Sequence, residues 1–276
     1  MSKELKEQIK RIALTYPNRY DNAPMNDLCA SRIGAMIESL KCRGLEATCI
    51  PRDDLPPLLD DFDLVIAAGG DGTQLDASMR IRGPNTSLCA VRLFPERSVG
   101  FLCCMDYGEF DRFAEALANK GTLKTDFLPR FMCIIDDSPV SVPFLNDILI
   151  AHECPARASR YRITFGDETQ LQCSSGIWIA TNSGSHAAAH AAGADPLPPG
   201  DLNSCIFVVR ELSQSPQSCE PLRKAKFCPD SDVLTIESVS SNLHLYFDGA
   251  LFECPIKKYQ SIRFRSYPVP LCRVFC

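Results

Sequence analysis

Phe62-Asp63-Leu64-Val65-Ile66-Ala67-Ala68-Gly69-Gly70-Asp71-Gly72-Thr73 is the stretch on which the fold turns. Four apolar residues, Leu64 to Ala67, run through Ala68 into a glycine-rich turn with one carboxylate at its centre, and a helical segment from Gln74 to Ile81 follows. A short unbroken apolar run closed by turn residues reads as a strand buried on both faces. Glycines at 69, 70 and 72 allow backbone conformations closed to side chains and let N–H groups approach a ligand. Strand, glycine turn and helix start is an arrangement that cradles phosphate. The turn lacks the Gly-Lys-Ser/Thr ending of a P-loop, and it lacks the Gly-x-Gly-x-x-Gly dinucleotide fingerprint. It carries an acid instead, which beside phosphate must either hold a metal ion or take a proton.

The pattern around this turn alternates. Ile12 to Tyr16 reads as a first strand; Cys29, Ile33, Met36, Ile37 and Leu40 share one helical face that Gly44 ends; Leu45 to Ile50 reads as a second strand. A strand over Leu88 to Leu93 follows, then a helix marked by Phe110, Phe113, Ala114 and Leu117 and closed by Gly121. Alternating strands and helices imply a parallel sheet with crossover helices, whose ligands sit at the carboxyl ends of the strands. After about Thr122 the texture becomes short strands separated by turns, with strict alternation over Arg160 to Phe165, and this suggests a sandwich-like β domain. The exception is an alanine-rich piece, Ser185 to Ala192, expected to be helical.

A length of 276 residues and 45% hydrophobic content allow two domains with a sizeable core. The formal charge of −5 argues against a general nucleic-acid binder. No apolar run reaches the ~18–20 residues of a membrane span. Met1 to Arg11 is charged without the apolar core of a signal peptide, so the 15 cysteines read as reduced thiols and the expected location is cytoplasmic.

Three further clusters bear on chemistry. Asn146-Asp147 sets an amide beside an acid at the start of a strand, either a polar strand start or a binding pair in which the amide donates and accepts and the acid accepts hydroxyl protons. Ser183-Gly184-Ser185 stands before the alanine-rich piece and offers helix-start N–H groups with small side chains. His186 and His190 lie four apart, but without a third ligand they make only a weak metal pattern, and no metal site is assigned. Cys103-Cys104 has no metal spacing and reads as core packing. Arg160, Arg162, Arg263 and Arg265 alternate on strands and read as solvated faces.

Gly69-Gly70-Asp71-Gly72-Thr73 after an apolar strand resembles the NAD kinases, which phosphorylate the adenosine ribose of NAD. Diacylglycerol and sphingosine kinases and phosphofructokinases carry similar turns, so further segments decide. Val99-Gly100-Phe101-Leu102 resembles the family's Gly-Phe segment, Asn146-Asp147 its Asn-Glu/Asp pair, Thr181 to Ala187 its Thr-x-x-Gly-Ser-Thr-Ala stretch, and Tyr246-Phe247-Asp248-Gly249 its late Asp-Gly turn. Leu145 to His152 with Ser159-Arg160, and Val209-Arg210-Glu211 with Ser215-Pro216, look closer to the plant NADH kinase branch.

The resemblance implies an α/β Rossmann-like domain over 1–121, a β-rich dinucleotide-binding domain over 122–250, and a segment 251–276 returning to the first. It implies ATP-dependent phosphorylation of the 2′-hydroxyl of NAD(H), with Mg²⁺ arriving on ATP, in a homodimer or homotetramer. Asp71 is the expected general base, since a carboxylate within hydrogen-bond reach activates a poorly nucleophilic ribose hydroxyl. Gly69, Gly70, Gly72 and Thr73 are expected to shape the phosphate site. Phe101, Asn146, Asp147, Ser175, Ser183, Gly184, Ser185, His186, Ala187 and Asp248 are expected at the dinucleotide. Ser175 stands where many members have an acid near nicotinamide, and His186 and Ala188 replace the usual Thr and Tyr. Losing that acid removes attraction for cationic nicotinamide and leaves the site more tolerant of NADH. The alternatives are a dinucleotide-binding protein without catalysis and a lipid kinase sharing the turn.

Overall fold

The computed structural model describes residues 9–18, 20, 22–119, 123–213 and 220–276. The chain divides into two compact units, Met1–Leu128 with Val269–Cys276, and Pro129–Pro268. No helix among the described residues is long and apolar enough to cross a membrane. The expected Gly121 helix stop and the Ser215-Pro216 segment lie outside the described residues.

The first unit is an α/β layer. Its strands are β1 (Ile12–Tyr16), β2 (Ala47–Pro51), β3 (Leu64–Gly69), β4 (Ser87–Arg92), the short β5 (Met105–Asp106) and β6 (Lys124–Leu128). The helices between them are α1 (Ala23–Lys41), α2 (Asp71–Arg80) and α3 (Phe110–Ala118). β2, β1, β3 and β4 pair in parallel in that order. The final strand, β19 (Leu271–Phe275), then pairs parallel to β4 and antiparallel to β6, so of the expected 251–276 segment only Val269–Cys276 returns to this sheet, while the preceding residues stay in the second unit.

All six residues of β3 are buried, as expected of a central parallel strand with helices on both faces. α1 is capped by the Asn22 side chain, which accepts the Met25 N–H at 3.0 Å, and it stops where Gly44 takes φ +73°. Its buried face, Cys29, Ile33, Met36 and Leu40, packs on Ile12, Leu14, Leu64 and Ile66 of the sheet. Ile37, expected on that face, sits at its partly buried border.

The second unit is a β-sandwich. Its strands are β7 (Phe131–Ile135), β8 (Ser138–Pro139), β9 (Asp147–His152), β10 (Ser159–Phe165), β11 (Glu168–Ser174), β12 (Ile177–Ala180), β13 (Cys205–Val209), β14 (Lys224–Phe227), β15 (Leu234–Ser238), β16 (Leu243–Phe247), β17 (Phe252–Ile256) and β18 (Ser261–Ser266). One six-stranded sheet runs β11-β10-β15-β18-β7-β8 and the other β14-β13-β12-β9-β16-β17. Aromatic contacts bridge them: Phe165 to Phe207 at 5.6 Å and Phe227 to Phe264 at 6.2 Å between ring centroids. In β10 the alternation holds, with Tyr161 and Ile163 fully buried and Arg160 exposed.

The alanine-rich piece departs from expectation. Gly184–His186 forms a 3₁₀ turn, Ala187 breaks it at φ −98° and ψ −126°, and only Ala188–Ala191 makes a helical turn (α4). His186 and His190 therefore do not share a continuous helix face. The cause is Ser185, whose hydroxyl donates to Asn182 O (2.8 Å) and accepts from Leu197 N (3.0 Å), pinning the turn to two loops. Ala189 packs in a small cluster with Ala180, Ile206 and Val208.

Candidate functional site

Within the first unit, β3 delivers the glycine turn to the carboxyl end of the sheet. Gly70 caps α2 without a side-chain bond, and Asp71 is already its first helical residue rather than its cap. A Cβ on Gly69 would overlap the Thr73 hydroxyl, so the Thr73 side chain is folded back on the turn and buried. Thr73 thus shapes the loop from inside.

The Asp71 carboxylate is half-buried and held from one side. Oδ1 accepts the Leu102 N–H at 2.9 Å and Oδ2 the Phe101 N–H at 3.1 Å. Each oxygen keeps further lone-pair capacity for a ligand proton or cation. The loop that supplies these donors is itself clamped. Arg92, the last residue of β4, binds Asp106 through Nε and Nη2 at 2.6 and 2.8 Å, and its Nη1 donates to Val99 O at 2.8 Å. Gly100 sits at φ +61°, where a Cβ would overlap the Arg92 side chain. Arg273 of β19 donates to Leu102 O at 3.0 Å while binding Asp126.

Charge supports this geometry. The Arg92 guanidinium draws Asp106 below the usual carboxylate range. Cys103 stands beside Asp71, and burial, with the Asp71 charge adding to it, pushes its thiol up to about 12. It is a neutral thiol, not a nucleophile. Phe101 leaves the loop with its side chain 53% exposed.

Within the second unit, Asp248 organises the other cluster. It sits in the turn after β16 at φ +46° and is buried. Its carboxylate accepts the N–H groups of Leu145 (2.9 Å), Asn146 (2.7 Å) and Asp147 (3.1 Å). The sequence placed Asp248 among ligand contacts; here its oxygens are committed to backbone. Burial raises its pKa to about 6 against the pull of those N–H groups and of Arg130. Asp147 is buried beside it, and desolvation together with the Asp248 charge raises it to about 7.

Thr181 joins this segment to the next: its N–H donates to Asn146 O at 2.8 Å and its hydroxyl to Leu145 O at 2.6 Å. Gly184 lies so close that a Cβ would overlap the Asn146 carbonyl. The structure thus brings Asn146, Asp147, Gly184, Ser185 and Asp248 together. Asn146 Oδ1 is buried with no hydrogen-bond partner among the described residues. Such an acceptor costs about 1–3 kcal/mol unless a ligand donor meets it. Ser183 is half-buried, and His186 and Ala187 are exposed on the same turn. Ser175 is set apart, in a cavity of about 530 Å³ with Trp178, Arg210, Tyr246 and Gly249.

The Arg92–Asp106 clamp was not anticipated. Its signal was available, since Arg92 is a charged residue at the carboxyl end of a parallel strand. Thr181 belongs to the quoted motif, but its internal bonds follow only from the pairing of β9 with β12.

No family model matches the chain. It is 30% identical to the NADH kinase of Arabidopsis thaliana over 283 residues, covering 86% of this chain and 80% of that protein. The fold is similar to that of yeast NADH kinase solved with NADH, at TM-score 0.73 and 16% identity over 98% of this chain and 84% of that one. It is likewise similar to an Archaeoglobus fulgidus NAD kinase solved with ATP, at TM-score 0.71 and 18% identity over 95% and 92% of the two chains.

Proposed function

The chain belongs to the NAD kinase family, and from that premise we propose that it transfers the terminal phosphoryl group of ATP to the 2′-hydroxyl of the adenosine ribose of NAD(H), giving NADP(H). The observation that carries the site assignment is the Asp71 carboxylate, fixed at the glycine turn by the N–H groups of Phe101 and Leu102. Asp71 takes the ribose hydroxyl proton as the oxygen attacks the γ-phosphorus and the bond to ADP breaks. Removing that proton in step with attack contributes typically ~10²–10⁴-fold. The rest of catalysis is in-line positioning and neutralisation of phosphate charge, the latter by Mg²⁺ entering as part of the Mg-ATP substrate. Gly70 and Gly72 leave room for the phosphates, while Gly69 makes room for the Thr73 side chain that shapes the turn.

Asn146 and Asp147 hold the dinucleotide, supported by the orphaned Asn146 Oδ1, with Gly184 permitting close approach. Ser183, His186 and Ala187 flank the nucleotide. Asp248 and Ser185 act by fixing that segment rather than by touching the substrate. Ser175, an uncharged residue where many family members carry an acid, leaves the site more tolerant of NADH. The same reading carries a cytoplasmic location and a homodimeric or homotetrameric state.

The test is NADP(H) formation from Mg-ATP with NAD⁺ or NADH, in the native chain and in Asp71→Asn. Turnover should fall by at least ~10²-fold in the variant. Undiminished turnover in Asp71→Asn rejects the base assignment, and absence of any turnover in the native chain rejects the activity.

A further inference from the structure

Arg52 commits only one of its nitrogens to the fold. It opens a 3₁₀ turn, Arg52–Asp54, directly after β2, at the carboxyl end of the parallel sheet. The turn is fixed to the end of β1, because the Asp53 N–H donates to Asn18 Oδ1 at 3.0 Å. Arg52 Nε donates to Asp76 Oδ2 at 3.0 Å, and the other Asp76 oxygen takes Arg80 Nε at 2.7 Å. Asp76 is 6% exposed, and two guanidinium groups share its single charge, so the cluster keeps a net positive charge.

Neighbouring arginines spend more of their nitrogens on the fold: Arg80, which also meets Asp76 through Nε alone, gives its Nη1 to Leu55 O and Pro56 O. Arg92 and Arg273 each grip their aspartate with both Nε and Nη2. Arg52 uses Nε alone. Among the described residues, no acceptor takes its Nη1 or Nη2, and these lie 3.6 and 4.0 Å from the point where a Cβ on Gly72 would sit. A guanidinium anchored by one nitrogen presents its remaining planar edge in a fixed direction, the geometry that suits two oxygens of a phosphate. That edge lies beside the first turn of α2, where the Thr73 and Gln74 N–H groups bond to Gly70 O but those of Asp71 and Gly72 meet no backbone carbonyl among the described residues. The exposed Asp53 and Asp54 do not bond to it.

Resting on the kinase reading above, we propose that Arg52 is a substrate-binding residue for the polyphosphate of the nucleoside triphosphate donor. Its free edge grips phosphate oxygens over Gly72, and Asp76 holds it in position. The absence of a side chain at Gly72 is what lets backbone and guanidinium reach the same group.

The experiment compares the native chain with Arg52→Gln and Arg52→Lys. It measures KM for Mg-ATP and for NADH separately, calorimetric affinity for inorganic tripolyphosphate, and melting temperature. Arg52→Gln should raise the KM for Mg-ATP and weaken tripolyphosphate binding by roughly tenfold or more, the loss expected of a charge-assisted pair. The KM for NADH should stay within about twofold. Arg52→Lys, keeping charge without the fork, should fall between. A role confined to the Asp76 ion pair would lower the melting temperature and leave both the Mg-ATP KM and tripolyphosphate affinity unchanged, and that result overturns the proposal. If the native chain makes no NADP(H), the kinase reading fails, while tripolyphosphate affinity still decides Arg52. Should Arg52→Gln not fold, an unchanged Mg-ATP KM and tripolyphosphate affinity in Arg52→Lys are sufficient to reject it.

Discussion

Replacing Asp147 by asparagine isolates the electrostatics of the second unit. Burial and the neighbouring Asp248 lift the Asp147 carboxyl from 3.8 to about 7 in the fold, whereas an unfolded chain ionises it near ~4. Between these values the folded state holds a proton that the unfolded chain has released. Stability is therefore greatest at the acid end of this window and falls as pH rises through it, levelling off once the folded group has ionised. A shift of roughly three units at ~1.4 kcal/mol each sets the scale at about 4 kcal/mol. Asparagine keeps an oxygen to accept the Gly249 N–H but carries no charge. The variant should match the native chain near pH 4 and exceed it by a few kcal/mol at pH 8. Urea unfolding at four pH values between 4.5 and 8, fitted with a common m-value, measures the difference directly. A stability difference that stays flat across that range refutes the reasoning, because it means that Asp147 is ionised throughout.

Two other substitutions probe the same segment. Asp248→Ala strands three buried N–H groups, at ~1–3 kcal/mol each, and loses a residue type tolerant of φ +46°. It should cost at least ~3 kcal/mol, with Asp248→Asn costing less; a loss under about 1 kcal/mol by thermal or urea melts contradicts the clamp. Gly184→Ala drives a methyl into the Asn146 carbonyl. It should destabilise by roughly 1–3 kcal/mol and weaken NADH binding followed by dihydronicotinamide fluorescence, and native-like affinity speaks against the close approach.

What the sequence revealed depended on where each strand lies in its sheet. Central strands such as β3, β4 and β10 are apolar on both faces or strictly alternating, and they were legible. The strands that escaped are mostly at the borders of their sheets, β6, β8, β11, β14 and β17, with the two-residue β5 and the interior β19, which was expected only as a returning segment. Glu168-Thr169-Gln170-Leu171-Gln172-Cys173-Ser174 carries polar residues on both sides, and Lys224-Ala225-Lys226-Phe227 is short and half lysine, as suits strands with one unpaired border. β17 even includes Pro255, a residue tolerated only at such a border.

The site shows the same split. Asp71 was legible because a glycine turn announces it, and Asn146 because of its place in a motif. Arg52, Arg92 and Asp106 were not, since their partners are 24, 14 and 14 residues distant in the chain and meet only through the sheet. The broken helix at Ala187 was misread because alanine favours helix locally, while the Ser185 hydroxyl imposes the tertiary bonds that override it.

The insertion of β19 between β4 and β6 has a consequence for biosynthesis. During translation β1 to β4 emerge early, yet the residue that steadies the Asp71 loop from the far side, Arg273, lies 171 positions after the Leu102 carbonyl it binds. The intervening sandwich is one continuous segment whose ends are tied by the Tyr267 N–H to Arg130 O at 2.8 Å, so it is able to mature while the first sheet waits. A nascent chain thus exposes the open border of β4 until its closing strand arrives, and ribosomal pausing or loss of the tail strikes the half of the protein made first.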